Sequence, residues 1–176
     1  MGGAIGLKPG VMSEVPWEEG GSGGAALEAL LLYMQGAWPE EACGALFVSA
    51  LGEWLWRPLE NVAGNKLQAF VVGEGWLRLL QEEERRGGRL VCLAHSHPEG
   101  EAELSRADIR SLAPGGKLLW PGLMQMVVAT GEGGWREAAW FSPPGVRGEA
   151  GLPGFVCGGR LSRACFEARK RRTFAL

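Results

Sequence analysis

The run Arg-Leu-Val-Cys-Leu-Ala-His-Ser-His at residues 89–97 constrains the fold more than any other stretch, because it is apolar almost without alternation. A strand with one wet face alternates apolar and polar residues, whereas a strand covered on both faces has no solvent side to mark. The run therefore predicts a central strand with structure packed on both sides. Pro98 and Gly100 stop it just after two histidines, and the chain of 176 residues has no others. Asp108 follows a short loop later and is the one aspartate in a chain with 20 acidic residues.

The flanking segments predict what covers that strand. From Ala25, the spacing of Leu27, Leu30, Leu31 and Met34 predicts a buried helix closed near Pro39. "CGALFVSA" and "EWLWRPLEN" read as two strands joined at "LGE", with "LQAFVV" from Leu67 a third strand candidate. Trp76, Leu79 and Leu80 share one face of a second helix that stops at Gly87. Beyond the histidines come a helix from about Ser105 to Leu112, a strand in "LMQMVVAT", a turn at "GEGG" and a last strand in "WREAAWFS". The expected fold class is α/β (α+β), a mixed central β-sheet flanked by helices in one domain. Three segments follow from this pattern: residues 1–24 as a flexible or irregular N-terminal segment, or alternatively a short edge strand around Val11–Trp17, residues 25–142 as the domain, and residues 143–176 as a C-terminal extension with a short basic helix.

Side chains two apart on a strand share a face, with Cα atoms about 6.6 Å apart, so His95 and His97 aim at one point. A helix beginning at Ser105 can return Asp108 to that point. Two imidazoles and one carboxylate leave room for water, the ligand set of a catalytic zinc rather than a closed structural one. "SRAD" is also a capping-box pattern, which would account for Ser105 and Asp108 without a metal. Hydrolysis further needs a base for the water. The residues alone leave Glu99, Glu101 and Glu103 on the loop, and Glu40 and Glu41 ahead of a buried strand, as candidates.

This arrangement resembles the JAMM or MPN+ metalloproteases, whose signature is a distant Glu, His-Ser/Thr-His-Pro, a spacer and Ser-x-x-Asp. Here the pattern is His95-Ser96-His97-Pro98 and Ser105-Arg106-Ala107-Asp108, and the upstream Pro-x-Glu-x-x-Gly element is Pro39-Glu40-Glu41-Ala42-Cys43-Gly44. The resemblance implies an MPN-type fold in which His95, His97 and Asp108 hold one Zn2+ per chain, Glu41 activates the water, and Ser105 hydrogen-bonds the developing oxyanion. It further implies hydrolysis of the amide bond after the C-terminal Gly-Gly of a ubiquitin-like or sulphur-carrier protein. The short segments 60–73 and 109–122 match the compact prokaryotic form.

Two other functions fit part of the pattern. A facial triad of two histidines and a carboxylate also holds non-haem iron, although that chemistry gives the Glu41 element and Ser105 no role. A binding module could recruit a ubiquitin-like partner through some of the eight tryptophans without cutting it, while core packing accounts for most of them. A composition of 46% apolar and 22% charged residues with net charge −2 is that of a globular protein, and gives no electrostatic case for nucleic acid or membrane partners. Four cysteines without a CxxC pair are expected as reduced thiols in a cytoplasm. A homodimer is left open as the assembly.

Overall fold

A computed structural model describes residues 21–67, 73–142 and 155–173. Among these, six strands form one sheet in the order β2-β1-β3-β4-β5-β6. In chain order they are β1 (Cys43–Val48), β2 (Trp54–Leu59), β3 (Arg89–Pro98), β4 (Met124–Gly131), β5 (Gly134–Ser142) and β6 (Val156–Ser162). The pairing of β3 with β4 is parallel and the others are antiparallel, which makes the sheet mixed. Four helices accompany it: α1 (Ser22–Ala37), α2 (Gly75–Arg85), α3 (Arg106–Leu112) and α4 (Arg163–Thr173).

The expected double covering of β3 is present. Leu27, Leu30, Leu31 and Met34 of α1 pack with Leu46, Cys92, Ala94, Met126, Val128 and Trp140 on one face. On the other face Trp76 of α2 joins Cys43, Ala45, Phe47 and Leu59, and farther along Val127, Ala129, Ala139 and Phe141 enclose Ala102. His95 and His97 stand on this second face between the two clusters, since His95 pairs with Cys43 on β1 and Val127 on β4. Two apolar clusters thus flank the two histidines at the end of the central strand.

Trp54 and Trp56 share a face as their alternation requires, and pack against the α1 core. Trp56 lies so close to Gly44 that any Cβ there would collide with its ring, so only glycine fits. That close approach gives the last position of the Pro-x-Glu-x-x-Gly element a packing reason.

One expectation changes. The sheet does not end at "WREAAWFS": β6 pairs with β5 from Glu137↔Ser162 to Ser142↔Val156. Its Cys-Gly-Gly segment lacks the pattern of a strand because the Trp140 ring occupies the space in which side chains at Gly158 and Gly159 would stand. A Cβ on Gly158 would lie 2.9 Å from that ring, and one on Gly159 closer still. Within the charged run of α2, Glu83 is buried and accepts a 2.8 Å hydrogen bond from Arg57 Nε. The expected basic helix is α4, with Lys170 paired to Glu28. The strand candidates at Val11–Trp17 and, beyond Leu67, in "LQAFVV" lie outside the described residues.

Candidate metal centre

The end of β3 and the start of α3 converge as their sequences require. His95 is buried and His97 half-buried, and their Nε2 atoms are 3.0 Å apart. Asp108 Oδ1 lies 3.4 Å from His95 Nε2 and Oδ2 lies 3.3 Å from His97 Nε2. Each carboxylate oxygen thus faces a different imidazole, and the three groups bring one ligand atom each within 4.8 Å of one another, close enough to share one metal ion. Two imidazoles and a carboxylate are a donor set that fits a divalent ion such as zinc.

Two local devices hold this geometry. The Glu101 carbonyl, 3.0 Å from His97 Nδ1, can only accept a hydrogen bond, so Nδ1 carries the proton and Nε2 keeps its lone pair for an ion. At the start of α3, Ser105 Oγ accepts from Asp108 N at 3.1 Å, and Asp108 Oδ2 accepts from Ser105 N at 2.7 Å. The capping box is therefore real, and the carboxylate that caps the helix is the one aimed at the histidines. One carboxylate thus both caps α3 and faces the two histidines.

Glu41 lines the same cavity. Burial raises its carboxyl pKa above the ordinary value, the nearby His97 lowers it in part, and Asp108 raises it again. Its peptide is held on several sides: Glu41 N donates to Lys66 O at 2.6 Å, Asn61 Nδ2 donates to Glu41 O at 2.7 Å, and the adjoining Ala42 N donates to Ser96 Oγ at 2.9 Å. Ser96, between the two histidines, thus faces the opposite side of β3 and ties Glu41's neighbour to the strand that carries the ligands. Two loop glutamates are engaged elsewhere. Glu99 accepts from Trp38 Nε1 at 2.9 Å, and Glu103 pairs with Arg160.

The loop from Glu99 to Leu104 is stapled down by residues that no motif marks. Arg136 on β5 donates to Gly100 O at 2.5 Å. Arg160 on β6 reaches Ala102 O at 3.4 Å, Glu137 at 3.0 Å and Glu103. Ala102 itself is fully buried. Asn61 does carry a signal in the sequence: it and Asn65 are the only asparagines in the chain. For Arg136 and Arg160 no local signal exists, because their partners lie far away in sequence. If the cluster takes up a divalent metal ion, we expect Arg160→Met to keep the fold and weaken that binding about 10-fold, as loss of an outer support typically does, with Arg160→Lys intermediate; competition against a chelator dye measures this.

The charges of the cluster set its pH dependence. Burial pushes the Asp108 carboxyl up, but hydrogen bonds from His95, His97 and Ser105 and the charge of His95 outweigh it and hold the group well below the carboxylate range. Burial lowers His95 more than Asp108 raises it. For His97, burial also lowers the pKa, yet Asp108, the Glu101 carbonyl and Glu41 together carry it above the ordinary value. A raised pKa means that His97 retains its proton at pH values where a free imidazole, near 6.5, has lost it. Affinity of this cluster for a divalent metal ion should therefore rise as pH climbs through that raised pKa and level off above it, with roughly one proton released per ion on the acid side. Calorimetry in buffers of different ionisation enthalpy counts that proton.

Six of the eight tryptophans are accounted for by the core or the cavity wall. Trp54, Trp56, Trp135 and Trp140 belong to the α1 face. Trp76 lines the cavity beside the cluster, as does Trp120, which meets it edge-on with ring centroids 6.2 Å apart. The cavity encloses about 600 Å³. Among the described residues no helix is long and apolar enough to cross a membrane, and Cys43, Cys92, Cys157 and Cys165 are free thiols.

Comparison with protein families matches residues 25–141 to the prokaryotic homologs of the JAB domain. A comparison with curated proteins finds no match. Among solved structures, the solution structure of protein DSY2949 from Desulfitobacterium hafniense is similar with a TM-score of 0.56 at 20% identity, over 75% of this chain and 86% of that one. A solution structure of a protein from Salinibacter ruber gives a TM-score of 0.47 at 18% identity, over 74% and 92% of the two chains. At these identities the likeness to DSY2949 concerns the fold.

Proposed function

The chain belongs to the family of prokaryotic homologs of the JAB domain, and from that premise we propose that it is a zinc-dependent metallopeptidase. Its substrate in this reading is a small ubiquitin-like or sulphur-carrier protein, cut at the amide bond after a C-terminal Gly-Gly. The carrying observation is that three donors spaced for one ion share a cavity with a glutamate whose pKa burial has raised.

When bound, zinc supplies a Lewis acid that polarises an amide carbonyl and makes water acidic near neutral pH. His95, His97 and Asp108 would hold it. The Glu41 carboxylate takes a proton from the attacking water and returns it to the departing nitrogen; a carboxyl with a raised pKa is better matched to both transfers. Ser105 uses an oxygen lone pair to cap α3, and this leaves its own O–H hydrogen to donate to the carbonyl oxygen as negative charge develops there. An extended Gly-Gly tail can pass the cluster because it brings no side chain.

The test is incubation of zinc-loaded protein with Gly-Gly-ended carriers joined through that end to a reporter, with and without chelator. Zinc-dependent release supports the reading, and no release from any carrier overturns it. Ser105→Ala should lower the rate per folded molecule about 100-fold, besides costing about 1 kcal/mol of stability through the cap. A stability loss with an unchanged rate would leave capping as its only role. Binding without cutting would favour the recruitment module.

A further inference from the structure

On the hydrolase reading above, the cavity is larger than a Gly-Gly tail requires. Away from the cluster its wall is built from Leu59, Trp76, Leu93, Leu112, Leu119 and Trp120. These come from β2, α2, β3, α3 and the segment after it, so distant parts of the chain converge on one apolar chamber. Leu119 and Trp120 remain 51% and 37% exposed, which is apolar surface without a protein cover beside a candidate reactive centre. Apart from Glu41 and the three ligand candidates, no charged side chain lines this space among the described residues. Ser111 and Gln125 are polar members of the lining, Gln125 being buried and paired in register with Leu93.

The position of the chamber says which side of the scissile bond fills it. Leu93 is two residues from His95 on the same face of β3, and Leu112 is four residues from Asp108 on α3. Both are therefore about one residue's reach, roughly 6–7 Å, from the ligands. On the tail side the two residues nearest the scissile bond are glycines, which bring nothing to fill an apolar chamber. The group on the other side, the one that leaves, is the remaining occupant. A charged residue there would lose its hydration against indole and leucine without a partner.

We propose that the Trp76–Trp120 chamber is the subsite for the leaving group, and that this protein releases a large apolar residue carried in linear amide linkage after Gly-Gly. Water adds across the C–N bond: its oxygen becomes part of the new glycine carboxylate, and a proton goes to the freed amine. Gln125 offers both a donor and an acceptor to the backbone of the departing residue.

The experiment compares carriers ending in Gly-Gly joined linearly to Phe, Leu, Ser or Asp, and to a lysine side chain, with zinc-loaded protein. Phe and Leu fusions should be cut with kcat/KM at least about 10-fold above Ser, the smallest gain expected from an apolar pocket, and Trp120→Ala should collapse that ratio toward one. Equal cutting of all fusions, a lysine-linked preference, or a ratio indifferent to Trp120→Ala overturns the subsite. A second arm measures calorimetric binding of acetyl-Gly-Gly-Phe-amide and acetyl-Gly-Gly-Ser-amide to zinc-loaded Glu41→Gln protein. If no fusion is cut, the hydrolase reading falls, and the peptide arm still decides the chamber: preference for Phe upholds it and equal affinity ends it.

Discussion

Glu41→Gln protein is expected to take up zinc as the wild type does and to lose hydrolysis by a factor of about 10² to 10⁴, the usual worth of a positioned proton carrier. The amide keeps the size and hydrogen-bonding reach of the side chain but cannot accept the proton of water. Fold and metal should survive, because among the described residues Glu41 is held by hydrogen bonds of its backbone to Lys66 and Asn61. Zinc content by elemental analysis and turnover of a reporter fusion are read on the same sample. Retained turnover would move the base to another group.

Asp108→Ala should have a larger combined effect, because one carboxylate does two jobs. It faces both histidines and also accepts from Ser105 N. Its loss should abolish stable zinc binding and activity together, and cost about 1 kcal/mol of stability through the broken cap. Asp108→Asn separates the two: an amide oxygen can still accept from Ser105 N, so thermal stability of the metal-free protein should return toward wild type while zinc affinity stays low. If Asn restored both, the carboxylate charge would be unnecessary to the metal site. If neither variant lost zinc, Asp108 would be a cap alone.

What can be read from the residues differs from element to element for physical reasons. β3 is legible because double burial removes alternation, and the spacing of His95 and His97 follows from strand parity. Ser105 and Asp108 are legible as a cap because that pattern is local. The choice of Glu41 over the loop glutamates comes from resemblance, since it depends on β1 pairing with β3 so that Cys43 stands opposite His95. β6 is invisible because a tryptophan from the neighbouring strand fills the space of its missing side chains. Arg160 cannot be found by any local rule, and neither can the chamber, whose walls meet only after the chain has folded.

The brace formed by Arg160 has a consequence for how the centre matures. During synthesis, a nascent chain extended through Ser142 already carries β1 to β5 and all three ligand candidates, yet the loop between His97 and Asp108 has only its contacts to the chain made so far. Arg160 must emerge before Ala102, Glu103 and Glu137 are drawn together. On the proposed reading, an ion captured before translation has passed the sheet's edge strand would meet a loop that still lacks this brace.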